Sequence, residues 1–288
     1  MNNQQICKKT RRISSDALHT SLKNLLKKDK PFSEVDLRDY WLLELHKEHS
    51  IFQDGWYIPP PHGIGILFGT PDYKSRQNYK TLRLQRMWPD KNIMLDKKND
   101  LVYAYSSAVD KQTCIIGDFG LSIYFGKNRK IIKHFKQVFE TNKIIFEYLK
   151  TGMKISDITK YALKVINKKG LVNNIVSTSD PTNTNIGHSI PGIYEGWTSE
   201  EKDEMSSGNS QIIADTISKK RVFVNIKEQT IVKPGMAFTI EPRLLDLKNK
   251  EIPLVSFHTI ILIRKNGRKE LLTNFEKIFR LVGMDYMV

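Results

Sequence analysis

Two histidine loops stand 126 residues apart, His62 in PPPHGIG and His188 in NIGHSIPG, and each follows a pair of amphipathic helical segments. In the first pair, Leu18, Leu22, Leu25 and Leu26 share a face behind the possible caps Ser14 and Ser15. Ser33 starts a helix carrying Val35, Leu37, Trp41, Leu42 and Leu45. In the second pair, Val138, Asn142, Ile145 and Leu149 fall on one line, and Ser156 opens a helix with Ile158, Tyr161, Ala162, Val165 and Ile166 on one face. Strand-like LVNNIVS separates this pair from its histidine loop. Such self-similarity marks an internal duplication. Residues 101–126 are rich in β-branched and aromatic residues around a DKQ turn and predict a hairpin. MAFTIEPRLL and LVSFHTIILIRKNG predict its counterpart in the second half. The expected architecture is α+β: two pseudo-symmetric halves sharing one curved antiparallel sheet, with helices outside. Segments 66–97 and 198–230 fall outside the duplication and read as insertions over the sheet. Residues 1–13 read as a basic tail ahead of a single domain spanning 14–288.

At 288 residues, with 40% apolar and 27% charged, the chain can bury a sizeable core, and no apolar run approaches the ~20 residues that span a membrane. The basic start has no apolar segment after it, which argues against a secretory signal and for a cytoplasmic protein. Cys7 and Cys114 are too few for a disulfide framework and lie in no zinc-type spacing. The net charge of +15 raises the question of RNA or another polyanion. Dispersed lysine clusters without an arginine-glycine run or a stacking motif make that the lesser reading, behind a small-molecule or peptide substrate.

Four motifs occur in order: Gly117-Asp118; Gly187-His188-Ser189-Ile190; Pro234 to Pro242 (PGMAFTIEP); and His258-Thr259-Ile260. In identity and order they resemble the motifs of the pita-bread metallopeptidases, the methionine aminopeptidase, aminopeptidase P and prolidase group. KPGMAFTIEP is the most specific of them. The resemblance covers roughly residues 14–275 and implies the pita-bread fold and a metal centre. In that family two aspartates, a histidine and two glutamates hold a pair of metal ions, which activate hydroxide and polarise a peptide carbonyl. Residue by residue, the resemblance assigns Asp118, His188 and Glu241 as ligands. It places Tyr105 where the first aspartate would lie and Phe257 where the bridging glutamate would lie. A rival register would make Asp118 the first aspartate. It puts Arg129 at the second ligand and leaves too little chain before KTGMK for a strand and a full helix, so it is rejected.

Asp118, His188 and Glu241 match the ligands of one of the two metal positions, so the resemblance implies one divalent transition metal, iron, manganese, cobalt or zinc. The competing reading keeps all three as relics of a dead site, with an apolar Phe257 ring pointing into it. On the substrate side, the family's histidine after the ligand histidine is replaced by Tyr194 or Glu195, with Glu195 a candidate base. His62 is the candidate from the first half. Arg243, directly after EP, and Arg83, Arg86 and Trp88 in the first insertion suggest a carboxylate or phosphate clamp at the pocket mouth; solvated arginines are the ordinary alternative. Trp56 and Trp197 read as wall or core residues. The functional expectation is a metalloenzyme acting on a small amino-acid- or peptide-like substrate, with hydrolysis the default reaction. The alternatives are a pseudo-peptidase binding peptide or RNA, and a mononuclear iron enzyme of non-hydrolytic type.

Overall fold

A computed structural model describes residues 1–28, 30–69, 76, 78–175, 179–249 and 251–288. Among these residues it has seven α-helices and eight strands. Helix α1 (Asn3–Lys27) starts well before the expected Ser14 or Ser15, because Asn2 and Gln5 form a reciprocal capping box around its first turn. The supposed tail is therefore helix, with Cys7 and Arg11 fully buried. Hydrophobic periodicity missed this because the buried stripe of the first turns includes Thr10, Arg11 and Ser14, polar side chains with backbone acceptors in reach. Helix α2 (Glu34–His46) begins at Ser33 as expected, again with a capping box, and buries Leu37, Trp41 and Leu45. The helices of the second half are α3 (Arg129–Tyr148) and α4 (Ile155–Lys168).

The strands β1 (Ile64–Gly69), β2 (Leu101–Ser106) and β3 (Phe119–Tyr124) form an antiparallel meander. The expected hairpin is thus β2–β3. Strand β1 was missed: it overlaps the start of the segment read as an insertion and is buried along its whole length, so it shows no alternation. Strand β4 (Leu171–Asn173) is a short remnant of the expected LVNNIVS strand, whose residues 176 and 177 lie outside the described residues. The second insertion contributes α5 (Ser199–Ser206) and α6 (Ser210–Lys220).

Strands β5 (Ala237–Ile240) and β6 (Arg243–Asp246) both pair with the nine-residue β7 (Val255–Ile263). Their register is continuous, Ile240 facing Thr259 and Arg243 facing Ser256, so Glu241 and Pro242 are a gap in one strand rather than a turn. Proline has no N–H for the ladder, and the Glu241 N–H points away to the Ile186 carbonyl, 2.7 Å. Along its other edge β7 meets β3 and then β8 (Lys269–Leu272). The last helix, α7, is Glu276–Leu281. Strand β7 therefore joins the two halves in one sheet.

Pleat alternation divides the sheet's two faces. Leu121, Leu244, Val255 and Phe257 face outward and pack with α1, α2, α3 and α7 residues such as Leu18, Trp41, Phe135 and Phe279. Tyr103, Tyr105, Asp118, Gly120, Glu241 and His258 have the opposite parity and share the inner face. No helix among the described residues is long and apolar enough to cross a membrane.

Candidate metal centre

On the inner face Asp118, Glu241 and His258 each offer a ligand atom, and these atoms lie within 4.8 Å of one another. His188 joins them, its Nε2 being 3.1 Å from Asp118 Oδ2 and 3.7 Å from Glu241 Oε1. The three residues expected from sequence thus converge, together with a fourth, His258.

Each is held by local backbone geometry. Gly187 and His188 thread between β5 and the segment around Phe223: the His188 N–H donates to Thr239 Oγ1 at 2.9 Å, and the Val224 N–H to the Gly187 carbonyl at 2.9 Å. A Cβ at Gly187 would stand 2.0 Å from the Thr239 carbonyl oxygen, which explains why glycine precedes the histidine. The loop before it is pinned by Asp180, whose carboxylate accepts from the Thr182, Thr184 and Asn185 backbone and from Asn225 Nδ2. Behind the sheet, the buried Arg11 guanidinium donates to the carbonyls of Asp118, His258 (2.6 Å) and Thr273 (2.7 Å) and to Asn274 Oδ1 (3.2 Å). It therefore ties together the backbones that carry two of the inner-face residues. Gly120 leaves the room that the His258 ring fills, since a Cβ there would meet the ring at 3.0 Å and the Tyr103 hydroxyl at 3.1 Å.

The donor chemistry fits a cation. His188 Nδ1 lies 2.8 Å from the Ser189 carbonyl oxygen, which only accepts, so Nδ1 carries the hydrogen. In the neutral ring Nε2 then presents a lone pair to two carboxylates, an arrangement that needs a proton or a metal ion between them. His258 Nδ1 is 2.7 Å from Glu241 Oε2 but misses hydrogen-bond direction and is otherwise a buried atom without a partner among the described residues. Ligand atoms bound to one ion at about 2.1 Å in a tetrahedron are about 3.4 Å apart, and the contacts of 3.1 and 3.7 Å at His188 and 2.7 Å at His258 are of that order, the two histidines meeting different oxygens of Glu241. His258 Nε2 is 2.8 Å from the Tyr103 hydroxyl, a partner that orients the ring as outer-shell groups orient metal-ligating histidines. Burial works to raise the Glu241 carboxyl, but His258 first, and His188 and Arg243 after it, hold it down at about 2. Tyr103 and Tyr105 are pushed well above the usual phenol range, chiefly by burial, and stay neutral donors.

Around this group lies a cavity of about 390 Å³. Tyr105, where the resemblance expected an aspartate, donates its hydroxyl to Asp118 Oδ1 at 3.0 Å, and Arg243 lines the wall. Four expectations are corrected. Phe257 does not point into the site: it is fully buried on the outer face against the Phe135, Phe139, Phe275 and Phe279 rings, because Glu241 stands opposite residue 258, not 257. His62 is exposed and paired with Asp54 at 2.9 Å, outside the cavity lining. Tyr194 and Glu195 line a separate crevice with Lys220 and Met236. Of the first-insertion group, Arg83 reaches the cavity whereas Arg86 and Trp88 do not line it.

Three contributors escaped the sequence reading. His258 was visible in its motif, but the resemblance put Phe257 at the ligand position, and the register against Glu241 is the signal that corrects it. Trp56 was read as wall, yet its Nε1 donates to Asp118 Oδ1 at 3.0 Å. Arg221 enters the cavity from the second insertion, with no motif to announce it.

The chain belongs to metallopeptidase family M24, whose sequence profile matches residues 6–265. Its fold is similar to that of a variant of Escherichia coli aminopeptidase P, at 14% identity and TM-score 0.60, covering 98% of this chain and 58% of that one. Methionine aminopeptidase from Thermotoga maritima matches at 14% identity and TM-score 0.57, covering 92% of this chain and 96% of that one. Prolidase from Pyrococcus furiosus matches at 16% and 0.57, covering 92% and 63%. The family match and these neighbours establish the expected pita-bread fold. The chain spans only 58 to 63% of the length of the aminopeptidase P and prolidase structures. No curated protein matches the chain.

Proposed function

We propose that the chain is a mononuclear metal-dependent hydrolase acting on a small amino-acid- or peptide-like amide. The observation that carries this reading is the His188 ring: its hydrogen is fixed on the Ser189 carbonyl, and its other nitrogen faces Asp118 and Glu241. Asp118, His188, Glu241 and His258 would hold one divalent ion, whose chemistry is Lewis acidity toward a carbonyl and a lowered pKa for water. The chain supplies the rest. Ser189 and Tyr103 orient the two imidazoles, Tyr105 and Trp56 fix Asp118 by donating to it, and Trp56 and Tyr57 wall the pocket. Iron, manganese, cobalt and zinc all suit two imidazoles with two carboxylates. The test is metal analysis of protein purified without chelator, beside His188→Ala. About one equivalent of a transition metal, lost in the variant, together with hydrolysis of a dipeptide panel lost in parallel, is the expected result. Metal-free protein that stays inert after reconstitution with each of the four ions would sink the reading.

A second reading is a binding module without turnover. It is favoured by Asp118 Oδ1, which already accepts from both Trp56 Nε1 and the Tyr105 hydroxyl. In that case ligand binding would be unaffected by metal removal.

A further inference from the structure

Two arginines of the cavity have no ion-pair partner among the described residues. Arg221 lies over the Trp56 and Phe223 rings, 5.1 and 4.4 Å from their centroids, and one Nη donates to Ser179 Oγ at 2.8 Å. Its Nε is buried without a hydrogen-bond partner among the described residues. Arg243 donates one Nη to the Lys80 carbonyl at 2.6 Å and lies 5.4 Å from the Tyr79 ring centroid. Among the described residues neither guanidinium has a carboxylate at ion-pair distance. The two arginines stand on different sides of the centre: Trp56 packs edge-on against His188, and Tyr79 against Tyr103, the partner of His258.

A guanidinium removed from water without a close counterion is costly, and the site's acids act on these two only from beyond ion-pair distance. Asp118 accepts from Trp56 and Tyr105 and faces His188, and Glu241 faces the two histidines. With a divalent ion cancelling those two carboxylates, Arg83, Arg221 and Arg243 face Asp215 alone among the other charged residues of the wall, which leaves an excess of two positive charges. Two of the three arginines come from the segments that the internal duplication does not explain, so the insertions bring cationic groups to a pocket the fold has already made. At about 390 Å³ the pocket is near the small end of ligand sites, which run from about 300 to 1,000 Å³.

We infer that the cavity selects a small substrate bearing a carboxylate, held by the free donors of Arg221 and Arg243 on either side of the metal centre. The inference deepens the function proposed above and rests on it for the chemistry, but not for the binding.

The test is calorimetric titration of the full chain with succinate, with its uncharged isostere succinamide, and with inorganic phosphate, with metal content measured on the same samples. Succinate should bind and succinamide should bind at least about tenfold more weakly, since a hydrogen bond between charged groups contributes about 1.5–3 kcal/mol. Arg221→Gln and Arg243→Gln should each weaken succinate about tenfold, with Arg221→Lys recovering part of the loss. The comparison of the two ligands on the unmodified protein needs no variant to fold. Equal binding of succinate and succinamide, or wild-type succinate affinity in both glutamine variants, would overturn the inference. Phosphate binding more tightly than succinate would overturn the carboxylate assignment. Charge-selective binding by a protein that takes up no metal would support this site while removing the hydrolase reading, and metal uptake without charge selectivity would do the reverse.

Discussion

Glu241 and His258 face each other across β5–β6 and β7, with Oε2 and Nδ1 2.7 Å apart, while Phe257, one residue earlier, is buried on the opposite face. One residue of register therefore decides whether the centre has a second imidazole or an apolar plug.

The two neighbours should separate cleanly by mutation. Phe257→Ala removes a ring from the helix-side core and is expected to cost about 3–5 kcal/mol in denaturant unfolding while leaving metal stoichiometry unchanged. His258→Ala should weaken metal binding by more than about 100-fold, since even outer-shell changes commonly cost 10–100-fold. Loss of metal in Phe257→Ala with retention in His258→Ala would contradict the assigned faces.

Arg11 acts on the site from behind. Arg11→Met leaves the Asp118, His258 and Thr273 carbonyls without their buried donor, for a loss of at least about 3 kcal/mol. Lysine should rescue little of this, having no planar fork to span three acceptors. A chain lacking residues 1–13 should fail to fold. A deletion as stable as the full chain in thermal unfolding would restore the tail reading.

Gly187→Ala places a methyl group against the Thr239 carbonyl oxygen, a backbone atom that cannot swing away. Destabilisation of about 3 kcal/mol or more is expected, with metal binding impaired because His188 moves with the backbone. Wild-type stability and metal content in this variant would show that the His188 loop sits further from β5.

Both thiols should be silent in the native protein. Burial raises Cys7 to about 12, with Arg11 opposing, and Cys114 to about 11. The thiolate is the reactive form, so a colorimetric thiol reagent at pH 8 should react with both cysteines only after denaturation. The linked stability effect has a definite sign. The unfolded thiols ionise near 9 and the folded ones do not, so this contribution is intact below pH 9 and falls as pH rises from 9 toward 11–12. Rapid labelling of folded protein would show that the first turns of α1 open readily.

Much of the fold could be read from spacing and motif. The duplicated histidine loops, the capped start of α2 at Ser33 and the β2–β3 hairpin follow from local rules, and the structure contains them. So does the convergence of Asp118, His188 and Glu241, read from motifs whose order the fold preserves. Strand β1 and the first turns of α1 were hidden for opposite reasons: the strand is buried throughout and shows no alternation, and the helix buries polar residues that only the folded backbone can satisfy.

The sequence by itself determined most of the helices, the β2–β3 hairpin and which three side chains have ligand chemistry, because caps, periodicity and short motifs act over a few residues. Tertiary structure alone decided that His258 rather than Phe257 faces the site, that Arg11 braces it, and that Arg221 and Arg243 both line its cavity. Each depends on strand register or on contacts across more than twenty residues, up to 263 between Arg11 and Asn274. No local pattern encodes such contacts, since they exist only once the sheet has closed around its core.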